Sequence, residues 1–290
     1  MGSLSATASG THDLGGGLVV HRLGFGAMRV TGKGVWGPPR DRVGAIRLLR
    51  RTLDLGIDFL DTADSYGPHV SEVLIAEALH PYPDGVVVAT KGGLVRPSRD
   101  EWVEDGRPEH LREALEGSLT RLKVDRIDLY QLHAPDPEVP YADSVGVLAD
   151  MVAEGKIRLV GVSNVDLEEL ETAREIVDVV SVQNRYNLHD RSSDDVLERC
   201  EELGIGFIPW FPLDTGALAR DPARGTLGRI ARRHHAAPAQ VALAWLLARS
   251  PVMLPIPGTS SVEHLEENVG SAAIELSEEE IEELTEEEES

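Results

Sequence analysis

Short apolar segments rich in β-branched residues alternate with amphipathic helix patterns along most of this chain of 290 residues. Eight strand patterns occur, from LGFG at residues 23–26 to VMLPIPG at residues 252–258. Nearly all are continuous apolar runs, as parallel strands buried on both faces require. Eight strand–helix units that close on themselves predict an α/β protein, a single-domain (β/α)8 TIM barrel. Helices are predicted between the strands at residues 41–56, 70–80, 108–124, 143–156, 166–178, 194–204 and 238–250.

A doubly wound parallel sheet is the alternative fold for the same alternation of strands and helices. Its usual signature, G-x-G-x-x-G after the first strand, is incomplete because LGFGAM lacks the third glycine. Ahead of this strand, the glycines at residues 15–17 lie between extended segments and predict an N-terminal β-hairpin. Residues 1–10 lack the basic segment followed by an apolar segment that a secretory signal has, so we expect them to be a flexible leader. Residues 11–290 are expected to form the barrel.

The chain is strongly acidic, with 50 acidic against 28 basic residues and a formal net charge of −22. This charge argues against nucleic-acid binding, which needs a basic surface. No apolar run approaches the roughly 20 residues of a membrane-spanning helix. Cys200 is the only cysteine, so intrachain disulfides are impossible and we expect a cytoplasmic protein. The acidity of the chain fits a halophilic source, and it equally fits an arginine-rich composition without adaptation to salt. The acidic segment 278–290 is expected to be a solvated helix end.

Four ionisable side chains stand where apolar strand patterns stop and loops begin. Asp61 and Tyr66 lie in DFLDTADSYG, Lys91 ends VVVATK, and His133 ends IDLYQLH. In a parallel α/β barrel the carboxyl ends of all strands open on one face, and catalytic residues are placed there. We therefore expect a carboxylate, a phenol, an amine and an imidazole to share that face and to form a proton-transfer site.

The chemistry of these four side chains suits the reduction of a carbonyl group, which needs a hydride on carbon and a proton on oxygen. Tyr66 is the best proton donor, and we expect a nearby Lys91 ammonium to lower the phenol pKa from its ordinary value near 10. Asp61 would keep Lys91 charged, and His133 would hydrogen-bond the carbonyl oxygen and share in proton relay. Taken singly, each residue has a structural alternative, namely a packed tyrosine, a surface lysine, a structural histidine or a turn-capping aspartate.

Seven segments carry a family resemblance over nearly the whole chain: LGFGAM, DTADSYG, TKGG, DLYQLH, GVSN, QNRYN and IPGTSSVEHLEEN. On these motifs the chain resembles the aldo-keto reductase superfamily, and GPPRDR and SYGPHVSE look most like its pyridoxal reductase branch. The resemblance implies a (β/α)8 barrel that reduces an aldehyde or ketone with NAD(P)H, pyridoxal-like substrates being favoured. It assigns catalytic roles to Asp61, Tyr66, Lys91 and His133. A broad aldehyde or sugar reductase and a cofactor-sensing partner protein with little turnover are the alternatives.

The same resemblance implies a nicotinamide cofactor site at the ends of the later strands. Ser163, Asn164 and Gln183 match residues that hold the carboxamide, and Trp210 matches the aromatic residue that stacks on the nicotinamide. For Ser163 and Asn164 a helix cap before DLEEL is the alternative. The full set of cofactor positions is Gly26, Met28, Asp61, Ser163, Asn164, Gln183, Trp210, Pro212, Leu213, Gly258, Thr259, Ser260, His264, Glu267 and Asn268.

One departure from the family pattern concerns the choice of cofactor. Relatives that prefer NADPH often carry Lys and Arg after the eighth strand, whereas Gly258 and His264 occupy those places here. Hydroxyl groups, backbone N–H groups and the start of the following helix can still hold phosphate. NADPH is therefore the favoured cofactor and NADH is possible.

The substrate side of the site is expected in the longer loops. We expect Trp36 and Trp102 to wall an aromatic pocket, and the segment 212–226 to contribute to specificity. The expected partner is a small-molecule carbonyl compound, with no nucleic acid and no membrane. No metal site is expected, since His234 and His235 lack further ligands at suitable spacing. The sequence does not decide between a monomer and a homo-oligomer.

Overall fold

The central element of the fold is a curled parallel sheet that forms a (β/α)8 barrel. The computed structural model describes residues 4–218 and 225–287. Within these residues the sheet has the strand order β11-β10-β9-β8-β5-β4-β3, and every pairing in it is parallel. Its strands are β3 (Phe25–Gly26), β4 (Phe59–Asp61), β5 (Val87–Gly92), β8 (Ile127–Leu132), β9 (Ile157–Ser163), β10 (Val179–Gln183) and β11 (Gly206–Phe207).

The predicted eighth strand closes the ring without forming a regular strand. Phe207 of β11 pairs in parallel with Met253 through an isolated bridge. On the other side, the Gly24 backbone N–H donates to the Pro255 carbonyl at 3.0 Å, next to β3. The barrel prediction is therefore confirmed, and two prolines explain the irregular closure because proline cannot donate to a ladder.

The predicted N-terminal β-hairpin is present, and it covers the end of the barrel at which the strands begin. Its strands are β1 (Thr11–Asp13) and β2 (Val19–His21), which pair antiparallel. Leu14 and Val20 of the hairpin belong to a buried apolar cluster with residues from the barrel interior, including Phe59, Leu129 and Ile208. The amino end of the barrel is thus sealed by aliphatic and aromatic side chains, which leaves the carboxyl end for polar groups.

The expectation of a flexible leader over residues 1–10 is corrected for the part that the structure describes. Ala6–Ser9 form a 3-10 helix in which Ala6 and Ser9 are buried. The Ala6 backbone N–H donates to the Leu55 carbonyl at 2.8 Å, and the Ser9 hydroxyl accepts from the Leu23 N–H at 3.0 Å. These contacts join segments that are distant in sequence, so local composition could not indicate them. Residues 1–3 lie outside the described residues.

Seven predicted helices occur within a few residues of their expected bounds. The first of them, α1, begins after Asp41, whose side chain accepts from the Gly44 N–H at 2.8 Å. It ends before Gly56, which has a φ of 78° that a side chain would strain. The seven are α1 (Arg42–Asp54), α2 (Val70–Leu79), α3 (Pro108–Leu122), α4 (Tyr141–Ala153), α5 (Leu167–Ile176), α6 (Asp194–Leu203) and α8 (Pro238–Arg249).

Other elements lie in stretches that carried weaker signals. The long loop after β5 contains a small antiparallel hairpin, β6 (Leu94–Val95) with β7 (Val103–Glu104). The short helix α7 (Thr226–Arg233) begins at the last residue of the segment 212–226, of which residues 219–224 lie outside the described residues. The predicted helix after the last strand is α9 (Val262–Gly270), and the chain continues into α10 (Glu278–Glu287). None of the described helices has the length and apolar character needed to cross a membrane.

The acidic helix α10 is docked onto the barrel rather than fully solvated. Leu284 is buried on one face, and Glu280 accepts from His234 with a distance of 2.9 Å between the nitrogen and oxygen. The Trp245 indole N–H donates to the Thr285 hydroxyl at 3.1 Å. Apolar contact and specific pairing therefore hold this helix against α7 and α8 despite its charge.

Candidate active site

A buried ion pair occupies the carboxyl end of the barrel. Lys91 Nζ lies 2.9 and 2.7 Å from the two carboxylate oxygens of Asp61 and 2.9 Å from the Thr62 carbonyl. Asp61 also accepts from the side-chain amides of Gln183 at 2.8 Å and Gln131 at 3.2 Å. Both charges are removed from water and fully hydrogen-bonded, a condition that a buried ion pair needs in order to persist.

The charge state of this pair follows from its surroundings. Burial alone would lower the pKa of Lys91, but the Asp61 carboxylate and the nearby Tyr66 outweigh it, so the pKa of Lys91 is raised above its ordinary value. The amine therefore stays charged at neutral pH, as the sequence-based interpretation requires.

Tyr66 lies beside this pair, with Lys91 Nζ 5.3 Å from its ring centroid. Burial raises the pKa of Tyr66 above its ordinary value, and the Lys91 charge offsets this only in part. The expected lowering of the phenol pKa is therefore wrong for the chain by itself, because loss of water around the hydroxyl outweighs the attraction of the ammonium. The phenol is protonated at neutral pH, which is the state that a proton donor must have.

His133 completes the set, and its ring meets the edge of Tyr66 with centroids 5.9 Å apart. Burial, assisted by the Lys91 charge, lowers the pKa of His133 well below its ordinary value. The imidazole is thus neutral and carries one N–H. Its Nδ1 lies 3.4 Å from the Ser65 hydroxyl. In the tautomer in which Ser65 donates to Nδ1, the ring proton lies on Nε2, the nitrogen that remains for a ligand.

A cavity of about 950 Å³ opens directly above these residues. Asp61, Tyr66 and His133 line it, whereas Lys91 lies behind Asp61 and is fully buried. All fifteen residues that the sequence assigned to a cofactor also line this one cavity, although they come from segments spread between residues 26 and 268. The structure therefore brings the predicted catalytic and cofactor residues together.

One wall of the cavity is a polar connection from β9 to Trp210. Asn164, with a φ of 59°, donates from Nδ2 to the His133 carbonyl at 2.9 Å and accepts from the Trp210 indole N–H at 3.0 Å. The Ser163 hydroxyl donates to the Gln183 carbonyl at 2.7 Å. Asp166, rather than Ser163 or Asn164, caps α5 through a reciprocal pair of hydrogen bonds with Glu169. The helix-cap alternative for Ser163 and Asn164 is therefore wrong.

The far end of the cavity is formed by the turn after the closing segment and by the start of α9. Ser261 caps α9, and the Thr259 hydroxyl accepts from the Ser261 N–H at 3.1 Å. Gly258, Ser260 and His264 border the same space. Asn268 is only 6 % exposed, and no described residue hydrogen-bonds its side chain.

These features fit a nicotinamide dinucleotide on the chemistry of the donor set. The Trp210 indole offers a flat face, the amides of Asn164 and Gln183 offer polar contacts, and the α9 N-terminus favours phosphate. The Asn268 amide lines the cavity without a hydrogen-bond partner among the described residues, so it is free to hydrogen-bond a bound ligand.

The two tryptophans of the expected substrate pocket are placed differently. Trp102 borders the cavity and meets the Tyr66 ring edge-on, with centroids 6.3 Å apart. Trp36 is not among the lining residues, and Arg96 lies against both indoles, with its guanidinium carbon 3.7 Å from the Trp102 centroid and 5.5 Å from that of Trp36. Of the pair, only Trp102 reaches the cavity.

Three polar side chains at this site were not assigned from the sequence. Gln131 hydrogen-bonds Asp61, Ser65 hydrogen-bonds His133, and Arg29 lines the cavity. Gln131 lies on β8 two residues before His133, which directly follows the strand, so alternation continued from β8 could have placed both on the inner face. No comparable sequence signal marks Ser65 or Arg29.

Comparison with known proteins agrees with this geometry. The profile described as "Aldo/keto reductase family" matches residues 22–289. An uncharacterized oxidoreductase of Schizosaccharomyces pombe is 51 % identical over 286 residues, which cover 98 % of this chain and 92 % of that protein. Pyridoxine 4-dehydrogenase of Escherichia coli is 42 % identical over 267 residues, which cover 90 % and 92 %.

A solved aldo/keto reductase from Klebsiella pneumoniae, in complex with NADP and acetate, superposes with a TM-score of 0.78. It shares 28 % sequence identity, and the match covers 92 % of this chain and 91 % of that one. The chain therefore belongs to the aldo/keto reductase family. It is an oxidoreductase that acts on a carbonyl and alcohol pair.

Proposed function

We propose that this protein reduces an aldehyde or ketone to an alcohol with NADPH as the favoured cofactor and Tyr66 as the proton donor. NADH is possible in place of NADPH. The observation that carries the proposal is the buried Asp61–Lys91 pair, which lies beside a protonated phenol at the base of the cavity. NADPH, when bound, supplies the hydride, which no side chain can donate.

Three side chains would deliver the proton to the carbonyl oxygen of the substrate. The His133 Nε2–H would donate a hydrogen bond to the carbonyl oxygen and orient the group, since Nδ1 already contacts Ser65. Tyr66 would then transfer its proton to the same oxygen as negative charge develops there. The phenolate that remains is stabilised by the Lys91 ammonium, which Asp61 holds in place until Tyr66 regains a proton.

The substrate we favour is pyridoxal or a similar aromatic aldehyde. Similarity to pyridoxine 4-dehydrogenase of Escherichia coli supports this choice. The Trp102 indole next to Tyr66 supports it as well, because an aromatic ring gains edge or stacking contacts there. A broad aldehyde or sugar reductase is the alternative. With a small-molecule substrate and one buried cysteine, we place the protein in the cytoplasm.

The test is the rate of NADPH oxidation, followed by absorbance, with pyridoxal and several simple aldehydes at low and at molar salt. We expect pyridoxal-dependent oxidation that Tyr66→Phe lowers by about a thousandfold or more, since the phenol is the proton source. Tyr141→Phe is the matched control, because its buried hydroxyl has no hydrogen-bond partner among the described residues and lies away from the cavity lining. Tight NADPH binding without turnover of any carbonyl would refute the reductase proposal and favour a cofactor sensor.

A further inference from the structure

The cavity must bind a polyanion if its cofactor is NADPH, and the chain around it is strongly acidic, with a net charge of −22. Gly258 and His264 provide no permanent positive charge at the turn and helix start that border the cavity. A local cation would offset the repulsion that the rest of the molecule exerts on a bound phosphate group.

Arg29 provides this charge from an unexpected element. It lies in the 3-10 helix Ala27–Val30, directly after β3, and it lines the cavity. Its Cγ is 3.6 Å from the point where a Cβ on Gly258 would stand, so the side chain runs alongside that turn. Among the described residues that line the cavity, Arg29 is the one with a permanent positive charge.

The guanidinium of Arg29 is available to a ligand. No described residue forms an ion pair or a hydrogen bond with it, and its side chain is exposed at the cavity rim. Close by, the cavity contains the start of α9 and the unpartnered, nearly buried amide of Asn268. An uncompensated cation and an amide without a hydrogen-bond partner among the described residues border the same cavity, and together they indicate a site built for a polar, anionic ligand.

Resting on the proposed function, we propose that Arg29 binds the 2′-phosphate of NADPH and sets the preference for NADPH over NADH. A guanidinium forms two parallel hydrogen bonds with a phosphate monoester, whereas NADH offers only a hydroxyl at that position. Glu267 borders the same cavity, and a carboxylate is suited to a ribose hydroxyl rather than to a phosphate. Arg29 is therefore the group that gives NADPH a higher affinity than NADH.

The experiment measures binding without any carbonyl substrate. Quenching of protein fluorescence gives Kd for NADPH and, separately, for NADH, in the wild type, Arg29→Gln, Arg29→Lys and the control Arg47→Gln. Arg47 is an exposed arginine of α1 outside the cavity, so its replacement changes the net charge equally. We expect Arg29→Gln to raise Kd for NADPH about tenfold and to leave Kd for NADH within about twofold, since one charge-assisted contact is lost. The lysine variant should fall between, and Arg47→Gln should match the wild type.

Competition with adenosine 2′,5′-bisphosphate and with 5′-AMP gives a second readout. The bisphosphate should displace NADPH from the wild type more strongly than 5′-AMP does, and Arg29→Gln should remove this difference. Equal losses for NADPH and NADH would overturn the assignment, since both carry the pyrophosphate, and so would an unchanged NADPH affinity. If the wild type binds neither dinucleotide, the proposed function itself fails. An unchanged melting temperature for Arg29→Gln separates lost binding from lost folding.

Discussion

Asp64 is a buried carboxyl group that the proposed chemistry does not use, and it makes stability depend on pH. It lies in the turn between β4 and α2, is 4 % exposed, and has a carboxyl oxygen without a hydrogen-bond partner among the described residues. Burial, together with the nearby Glu72 carboxylate, raises the pKa of Asp64 to about 8, against the opposing charge of Arg121. We predict that Asp64→Asn stabilises the folded protein at about pH 8 and does so much less at about pH 5.

The direction follows from proton binding in the two states. The unfolded chain releases the Asp64 proton near the ordinary pKa of 3.8, whereas the folded chain holds it up to about pH 8. The folded state therefore binds more protons in this window, and its stability falls as pH rises. At about 1.4 kcal/mol per pH unit, the three units between pH 5 and pH 8 correspond to an upper bound of about 4 kcal/mol. Local relaxation and water entry reduce this figure, so we expect a difference of about 2 kcal/mol.

The assay is urea unfolding, followed by tryptophan fluorescence, at several pH values between about 5 and 8. Asparagine keeps the shape of the protonated carboxyl and cannot ionise, so the stability gap between variant and wild type should widen as pH rises. Asp84→Asn removes the same formal charge from an exposed site and should track the wild type. Parallel stability curves for Asp64→Asn and the wild type would show that this carboxyl ionises normally, and would refute the reasoning.

Three further predictions concern the site itself. Trp102→Ala should raise KM for pyridoxal about fivefold or more, whereas Trp36→Ala should change this KM little, because only Trp102 borders the cavity. Steady-state kinetics would contradict this placement if the two variants had equal effects on KM. Asp61→Asn should lower the free energy of unfolding by about 3 kcal/mol or more in urea titrations, because it leaves the Lys91 charge buried and unpaired. The pH profile of kcat should have no inflection near 6.5, since His133 stays neutral there, and a clear inflection would count against a neutral imidazole.

The sequence predicts those parts of the fold and site that depend on local pattern. Eight strand patterns with helices between them define the barrel, and the strand ends place Asp61, Lys91 and His133 at one mouth. The residues assigned to the cofactor follow from motif resemblance, and every one of them lines the same cavity. In each case the determining information lies within a few consecutive residues, so no long-range contact has to be known.

Features that depend on tertiary contact could not be predicted in this way. The 3-10 helix at Ala6–Ser9 exists because distant segments bury it, and its composition is that of a leader. The raised pKa of Tyr66 results from loss of water around the hydroxyl, which no spacing reveals. Arg96, about sixty positions from Trp36 in sequence, lies against its indole and donates to the Val35 carbonyl, contacts that no local pattern indicates.

The carboxylate of Asp61 spans the inside of the barrel mouth. It belongs to β4 and accepts hydrogen bonds from Lys91 on β5, Gln131 on β8 and Gln183 on β10, although β4 and β10 are not neighbours in the sheet. At the opposite end, close-packed apolar side chains keep the strands apart at a fixed distance. At the mouth this single carboxylate links the strands and also acts on the pKa of Tyr66, so a change at Asp61 would alter both the opening of the barrel and the acidity of the proposed proton donor.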